Sequence, residues 1–258
     1  MIKAAFFDVD GTLVPFGQKE ISDSNIAALD SLRSAGVRVF VCSGRPRFLI
    51  RNLRDYPFDG YICCNGGVAY IGDEVIHSAP LDPEDIREAV RISDRLGFCC
   101  VAFTADYPAL NLRTPIAERM MADINIHVDD SHSMEEAMTR PIYELTIFCS
   151  PEDERKYFAP AMKHSAYPRW NPCSMDVTPI GISKSEGIKK IAAHFGWDLS
   201  SLMCFGDGGN DIPMIEAVGY GVAMGNAAPD VKAAADYVTL SDTEDGIAHA
   251  LRHYGLIR

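Results

Sequence analysis

Positive charge is scarce in this chain. Over 258 residues, 24 Lys and Arg stand against 36 Asp and Glu, a formal charge of −12. Nonspecific nucleic-acid binding depends on Lys and Arg at the phosphates, so that class of partner is excluded, and an anionic ligand would need cations placed locally. Long hydrophobic runs are absent as well: no stretch approaches the roughly 18 apolar residues of a membrane span. The N-terminus enters strand pattern without the basic segment and apolar stretch of a signal, and a soluble cytoplasmic protein is expected. None of the eight cysteines forms a C-x-x-C pair. Most of them, Cys63-Cys64 and Cys99-Cys100 included, lie in apolar runs that suit buried free thiols better than disulfides or zinc. A P-loop is also missing, because Gly181 to Ser185 lacks the glycine directly before lysine, and Gly219-x-Gly221 lacks the third glycine of a dinucleotide fingerprint.

What is present begins with Phe6-Phe7-Asp8-Val9-Asp10-Gly11-Thr12-Leu13. Ile2 to Phe7 is nearly all apolar and reads as a strand buried on both faces of a parallel sheet. Asp8 therefore stands at the carboxyl end of that strand, where open α/β sheets bind ligands. An EF-hand calcium loop starting at Asp8 fails, because its glycine position is Leu13 and its final glutamate position is Lys19. A plain Asp-Gly turn fits poorly after such an apolar run.

The rest of the chain divides by texture. A helix is expected from Ile21 to Gly36, capped by Ser22 with a stripe of Ile26, Leu29 and Leu32. Strands follow at Val37 to Cys42 and Tyr61 to Cys64, with a helix entered at Pro46 between them and a hairpin of Val68 to Ile71 and Val75 to His77 after them. From about Leu81 to Pro179 the pattern is α+β: a helix at Pro83 to Leu96, a strand at Phe98 to Phe103, loops rich in Pro and Asn, and a strand at Ile142 to Cys149. A helix at Pro151 to Lys163 and extended pieces at Ala166 to Trp170 and Ser174 to Thr178 complete it. The α/β alternation then returns through a helix at Ser183 to Phe195, interrupted by Gly187, a strand at Leu202 to Phe205, and further elements to His253. The economical reading is an α/β, Rossmann-like parallel-sheet core, residues 1–81 and 180–258, with an inserted α+β domain at 82–179. No internal repeat is present.

Three further segments carry chemistry. Gly206-Asp207-Gly208-Gly209-Asn210-Asp211 follows a hydrophobic strand and delivers two more carboxylates, hard oxygen donors that suit Mg²⁺. A turn-rich loop or one unit of a calcium repeat are the alternatives, the latter lacking repetition. Lys184 falls in the first helical turn behind a Ser183/Glu186 capping box, where a cation opposes the helix dipole at a cost of about 0.3 to 1 kcal/mol. It is either an exposed lysine that tolerates this or a cation for a bound phosphate. Ser43-Gly44 ends the second strand at a helix start, an ordinary anion site. Together the segments supply a nucleophilic carboxylate, an acid or base two residues away, an acid pair for metal, a cation and a hydroxyl. That inventory fits phosphoryl transfer. A carboxylate approaching a phosphate dianion at about 4 Å meets about 8 kcal/mol of repulsion at an effective dielectric near 20. Uncompensated, this costs nearly six orders of magnitude in rate, so the cations are needed.

With Phe7-Asp8-Val9-Asp10-Gly11-Thr12, Ser43-Gly44-Arg45, Lys184 and Gly206-Asp207-Gly208-Gly209-Asn210-Asp211 in this order, the chain resembles the haloacid dehalogenase (HAD) superfamily of phosphatases. The branch is the Cof-type, subfamily IIB, with a C2 cap inserted between the second and third motifs. The resemblance implies that Asp8 attacks phosphorus to form an aspartyl-phosphate while Asp10 protonates the leaving oxygen and then activates water. It implies Mg²⁺ as cofactor, held by Asp8, the backbone carbonyl of Asp10, Asp207 and, directly or through water, Asp211. Ser43, Gly44 and Lys184 would hold phosphoryl oxygens, and Asn210 would position Lys184 or the phosphate. A carboxylate at Asp10 favours phosphatase or phosphomutase chemistry over dehalogenation. Arg45 either contacts substrate or joins a structural ion pair, and Asn65 is a candidate for lining the cleft. The cap should close over the site and select the leaving group, with Arg113, Arg119, Trp170 and Asn171 available there. The expected substrate is a small phosphorylated metabolite, a sugar phosphate by resemblance. A sugar phosphomutase is the alternative, and a non-catalytic binding or signalling module a third reading. A monomer or weak homo-oligomer is expected.

Overall fold

The computed structural model describes residues 1–123, 126–169 and 171–258. Its strands are β1 (Ala4–Phe7), β2 (Arg38–Cys42), β3 (Gly60–Cys63), β4 (Val68–Ile71) and β5 (Glu74–Ser78), then β6 (Cys100–Phe103), β7 (Pro108–Leu110), β8 (Glu144–Ile147), β9 (Ser165–Ala166) and β10 (Met175–Pro179), and finally β11 (Leu202–Gly206), β12 (Tyr220–Ala223) and β13 (Tyr237–Val238). The chain forms two compact units, residues 1–45, 50–78 and 183–258 in one and 46–49 and 79–182 in the other.

The first unit is an eight-stranded sheet in the order β13-β12-β11-β1-β2-β3-β4-β5. All its pairings are parallel except those joining β4 to β3 and β5 to β4. Strand β1 alternates its side chains between two cores. Ala5 and Phe7 pack with Leu29, Leu32, Phe205 and Leu251, while Ala4 and Phe6 pack with Phe40, Ile62, Ile188 and Met214. This burial on both faces is why the strand reads as an unbroken apolar run. The chain leaves β1 toward β2 on one side and returns through β11 on the other, so the strand order reverses between them. A crevice opens beyond the strand ends at such a point, and it is the usual ligand site of open α/β sheets.

The second unit is an antiparallel five-stranded sheet, β7-β6-β8-β10-β9. The helix Pro83–Leu96 covers one of its faces, burying Ile86, Ala89 and Val90 against Leu145, Ile147 and Val177.

Several elements depart from the sequence reading. No α-helix follows Pro46; only the short turn Arg47–Leu49 forms there. The helix expected from Pro151 to Lys163 stops early, as Pro151–Asp153 followed by a π turn over Glu154–Phe158. The Pro- and Asn-rich stretch expected to be loop contains β7 and the helix Pro115–Asp123. There the Thr114 hydroxyl accepts the Ala117 N–H, and a threonine cap followed by proline starts a helix despite the loop-like composition.

Candidate active site

The site is built where β1 and β11 end side by side. Phe7 is in register with Phe205, and the Asp8 N–H donates to the Phe205 carbonyl at 3.0 Å. Parallel pairing therefore carries Asp8 and Asp207 past the sheet edge together. One carboxylate oxygen each of Asp8, Asp207 and Asp211 lies within 4.8 Å of the others.

Lys184 enters this cluster from the first turn of the helix Lys184–Phe195. Two glycines allow its approach. A Cβ on Gly187 would fall 2.4 Å from Ile62 Cγ2, and one on Gly66, whose φ is +101°, would fall 2.0 Å from the Ser183 carbonyl oxygen. Gly187, an apparent interruption of the helical stripe, thus seats the helix against β3. Lys184 is 1% exposed, and its ammonium donates to Asp8 Oδ1 at 2.5 Å and Asp211 Oδ1 at 2.6 Å. The ammonium answers the choice left open by the sequence: it is buried between carboxylates.

The electrostatics follow from three carboxylates sharing one ammonium. Burial pushes the Asp8 carboxyl up to about 8; Lys184 pulls it down, while Asp211 and Asp207 push it up. Asp207 rises to about 6 through burial and the neighbouring Asp211, against a hydrogen bond from Thr12. Burial alone would lower the Lys184 ammonium, but Asp211 and Asp8 outweigh it and hold the ammonium above the usual lysine range. The cluster carries two negative charges beyond what Lys184 neutralises when all three acids are ionised. Oxygen donors with such a surplus fit a hard divalent cation.

Asp211 has no exposure and its oxygens are engaged. Oδ1 takes Lys184, and Oδ2 accepts the N–H groups of Asp207 and Gly208 at 3.0 and 2.9 Å. Asp207 Oδ1 accepts the Thr12 hydroxyl at 3.0 Å.

Asp10 points elsewhere. Its carboxylate is outside the three-acid cluster and takes a two-pronged bond from Arg45, Nε to Oδ2 at 2.7 Å and an Nη2 donor to Oδ1 at 2.9 Å. Of the two roles open to Arg45, the structure therefore contains the ion pair. Ser43 is buried; its hydroxyl oxygen accepts the Arg45 N–H at 3.1 Å. Asn65 adopts a left-handed backbone, φ 53°, as does Cys64, φ 52°. Two consecutive such residues store strain of a kind often found at functional positions. The Asn65 amide lies 3.2 Å from where a Gly44 Cβ would stand, and its Oδ1 accepts the Asn210 amide at 3.0 Å. Asn210 is thus bonded to Asn65, and Lys184 is held by Asp8 and Asp211 instead.

In the second unit, Arg113 is bonded to Asp130 and the Val128 carbonyl, Asn171 closes a local turn on Cys173 and Ser174, and Arg119 is exposed. Trp170 lies outside the described residues. Two contributors escaped sequence reading. Thr12 was visible only as part of the first motif. Asn226 donates to the Gly11 carbonyl at 2.8 Å, and its only signal was its place just after another hydrophobic strand.

Known proteins are similar to this chain in sequence and fold. YkrA of Bacillus subtilis (strain 168), a provisionally named phosphatase, is 35% identical over 266 residues, 99% of each chain. The 5-amino-6-(5-phospho-D-ribitylamino)uracil phosphatase YcsE of the same bacterium is 26% identical over 264 residues, 99% of this chain and 96% of its own. Among solved structures, the HAD subclass IIB sugar phosphatase BT4131 matches with a TM-score of 0.85 at 38% identity, covering 99% of this chain and all of its own. BT1666 from Bacteroides thetaiotaomicron, a HAD superfamily phosphatase, matches at 0.89 and 32%, covering all of this chain and 96% of its own. Residues 5–251 match the sequence profile of the haloacid dehalogenase-like hydrolases, and the chain belongs to that family.

Proposed function

We propose that the protein is a Mg²⁺-dependent phosphatase that hydrolyses small phosphorylated metabolites, in particular sugar phosphates, through an aspartyl-phosphate on Asp8. The observation that carries this reading is the buried Lys184 ammonium bonded to Asp8 at 2.5 Å and Asp211 at 2.6 Å. A cation so placed fixes one oxygen of the nucleophile and offsets the charge of an approaching phosphoryl group. The likeness to BT4131, a sugar phosphatase by description, supports the substrate class.

In the first step an Asp8 oxygen bonds to phosphorus as the bond to the leaving oxygen breaks, and that oxygen takes a proton from Asp10. In the second, Asp10 takes a proton from water, whose oxygen attacks phosphorus and releases Asp8 and inorganic phosphate. Ser43, Gly44 and Lys184 hold the phosphoryl oxygens, while Asn65 and Asn210 brace that side. Asp8, Asp207, the Asp10 carbonyl and, through water, Asp211 would hold Mg²⁺, which when bound supplies positive charge against the phosphoryl oxygens. The water-mediated role for Asp211 is favoured because its oxygens already accept three hydrogen bonds. The unit of residues 46–49 and 79–182 serves as the cap that selects the leaving group.

The test is release of inorganic phosphate from a panel of hexose phosphates with Mg²⁺, by the wild type and Asp8→Asn. Release by the wild type and loss in the variant support the reading. Stoichiometric interconversion of sugar phosphates without release would establish a phosphomutase instead, and equal inactivity of both proteins would remove the enzyme assignment.

A further inference from the structure

Phe16 is 74% exposed, the most exposed aromatic side chain among the large hydrophobic residues of the surface that the described residues include. Single exposed apolar residues are ordinary and by themselves call for no explanation. This one is set apart by where it sits and how its backbone is held.

Gly11 has φ +83°, and a Cβ there would fall 2.6 Å from Phe16 Cε2 and 2.3 Å from Asp207 Oδ2. The ring edge and an acid of the catalytic cluster thus converge on the space above one glycine. The loop that carries the ring is tied down at several points. The Gly11 N–H donates to the Val14 carbonyl at 2.8 Å, and Gln18 N–H to the Pro15 carbonyl at 3.0 Å. Asn226 donates to the Gly11 carbonyl at 2.8 Å and accepts the Asp242 N–H at 3.0 Å. An exposed ring on a braced backbone loses little freedom when a ligand packs against it, which is what a preorganised contact requires.

We propose that Phe16 is a specificity-determining residue whose ring receives the apolar C–H face of a cyclic leaving group, so that the enzyme prefers ring-bearing phosphate esters to open-chain ones. The proposal rests on the phosphatase reading. Its chemistry is the packing of a flat apolar surface onto an aromatic face beside the reacting phosphate, with the equatorial hydroxyl groups of the sugar around its rim and its axial C–H bonds toward the aromatic ring. An open-chain polyol offers the same phosphate and hydroxyls with no flat face.

The discriminating pair is glucose 6-phosphate and its reduced open-chain counterpart, glucitol 6-phosphate. The ratio of kcat/KM for the cyclic over the open-chain ester is measured for the wild type, Phe16→Ala and Phe16→Tyr. The ratio is expected to fall about 3- to 10-fold in Phe16→Ala, carried by KM for the cyclic ester, and to be retained in Phe16→Tyr. An unchanged ratio in Phe16→Ala, or an equal fall in both variants, would overturn the role of the ring while leaving the phosphatase intact. A wild type that releases phosphate from neither ester, nor from acetyl phosphate, would overturn the phosphatase reading and this proposal with it.

Discussion

Arg45 grips both carboxylate oxygens of Asp10, at 2.7 and 2.9 Å, from the end of the neighbouring strand. The pair is about one-third exposed on each side, 38% for Arg45 and 32% for Asp10, so water screens it and its worth to folding is below about 1 kcal/mol. Its value lies in orientation, because a planar guanidinium fixes a carboxylate that a lysine would only attract. Arg45→Ala is expected to lower kcat by about 10- to 100-fold, a part of the roughly 10²- to 10⁴-fold that general acid–base catalysis contributes, since Asp10 remains but is no longer oriented, while thermal stability barely moves. Arg45→Lys should recover only part of the loss. Steady-state kinetics beside a melting curve checks both.

Lys184 should behave in the opposite way, affecting folding and activity together. It is buried and bonded to two acids, so Lys184→Met leaves Asp8, Asp207 and Asp211 facing one another without a cation. Removing one partner from a buried ion pair costs about 3 to 5 kcal/mol. Urea denaturation at neutral pH is expected to register a loss of that order, together with loss of phosphate release.

The metal-free protein should lose stability as pH rises. Burial pushes the Asp8 carboxyl up to about 8 and the Asp207 carboxyl up to about 6 in the folded state, both above the ordinary carboxylate value of 3.8. Between 3.8 and those values the folded chain therefore binds more protons than the unfolded chain, and stability declines with increasing pH. A divalent cation favours the ionised acids, so Mg²⁺ should raise Tm more at pH 8 than at pH 5. Melting curves in EDTA and in Mg²⁺ across that range test the sign; an effect of Mg²⁺ that is largest at pH 5 would contradict it.

Gly187→Ala probes the seat of the catalytic helix. The added methyl would meet Ile62 Cγ2 at 2.4 Å, and overpacking of this kind costs about 1 to 3 kcal/mol. Lys184 lies one helical turn away, so phosphate release should fall as well. Pairing Gly187→Ala with Ile62→Ala, which removes the clashing Cγ2, should recover part of both losses, whereas Ile62→Val keeps that atom and should not.

The central strands and the motif residues were legible because burial on both faces leaves an unbroken apolar run, and acids directly after such a run mark its end. Asp8 after β1 and Asp207 after β11 are the clearest instances. An ion pair was one of two roles legible for Arg45, but its partner Asp10 was not, since the pair joins side chains 35 residues apart and depends on how β1 and β2 align. Gly187 was misleading for a related reason: a gap in a helical stripe looks like a weakness until the opposing Ile62 is known. The helix Pro115–Asp123 was hidden by prolines and asparagines that suggested loop, although Thr114 and Pro115 together are a start signal. Pro46 gave the converse error, a start signal followed by a turn of three residues.

The most direct measurement of the mechanism is a single-turnover reaction with ³²P-labelled hexose 6-phosphate and Mg²⁺, quenched in acid and mapped by peptide. Label on the peptide containing Asp8, absent from Asp8→Asn and retained longer in Asp10→Asn, is the predicted result. Phosphate release by the wild type with no protein-bound label at any quench time, or with label on another residue, would contradict it.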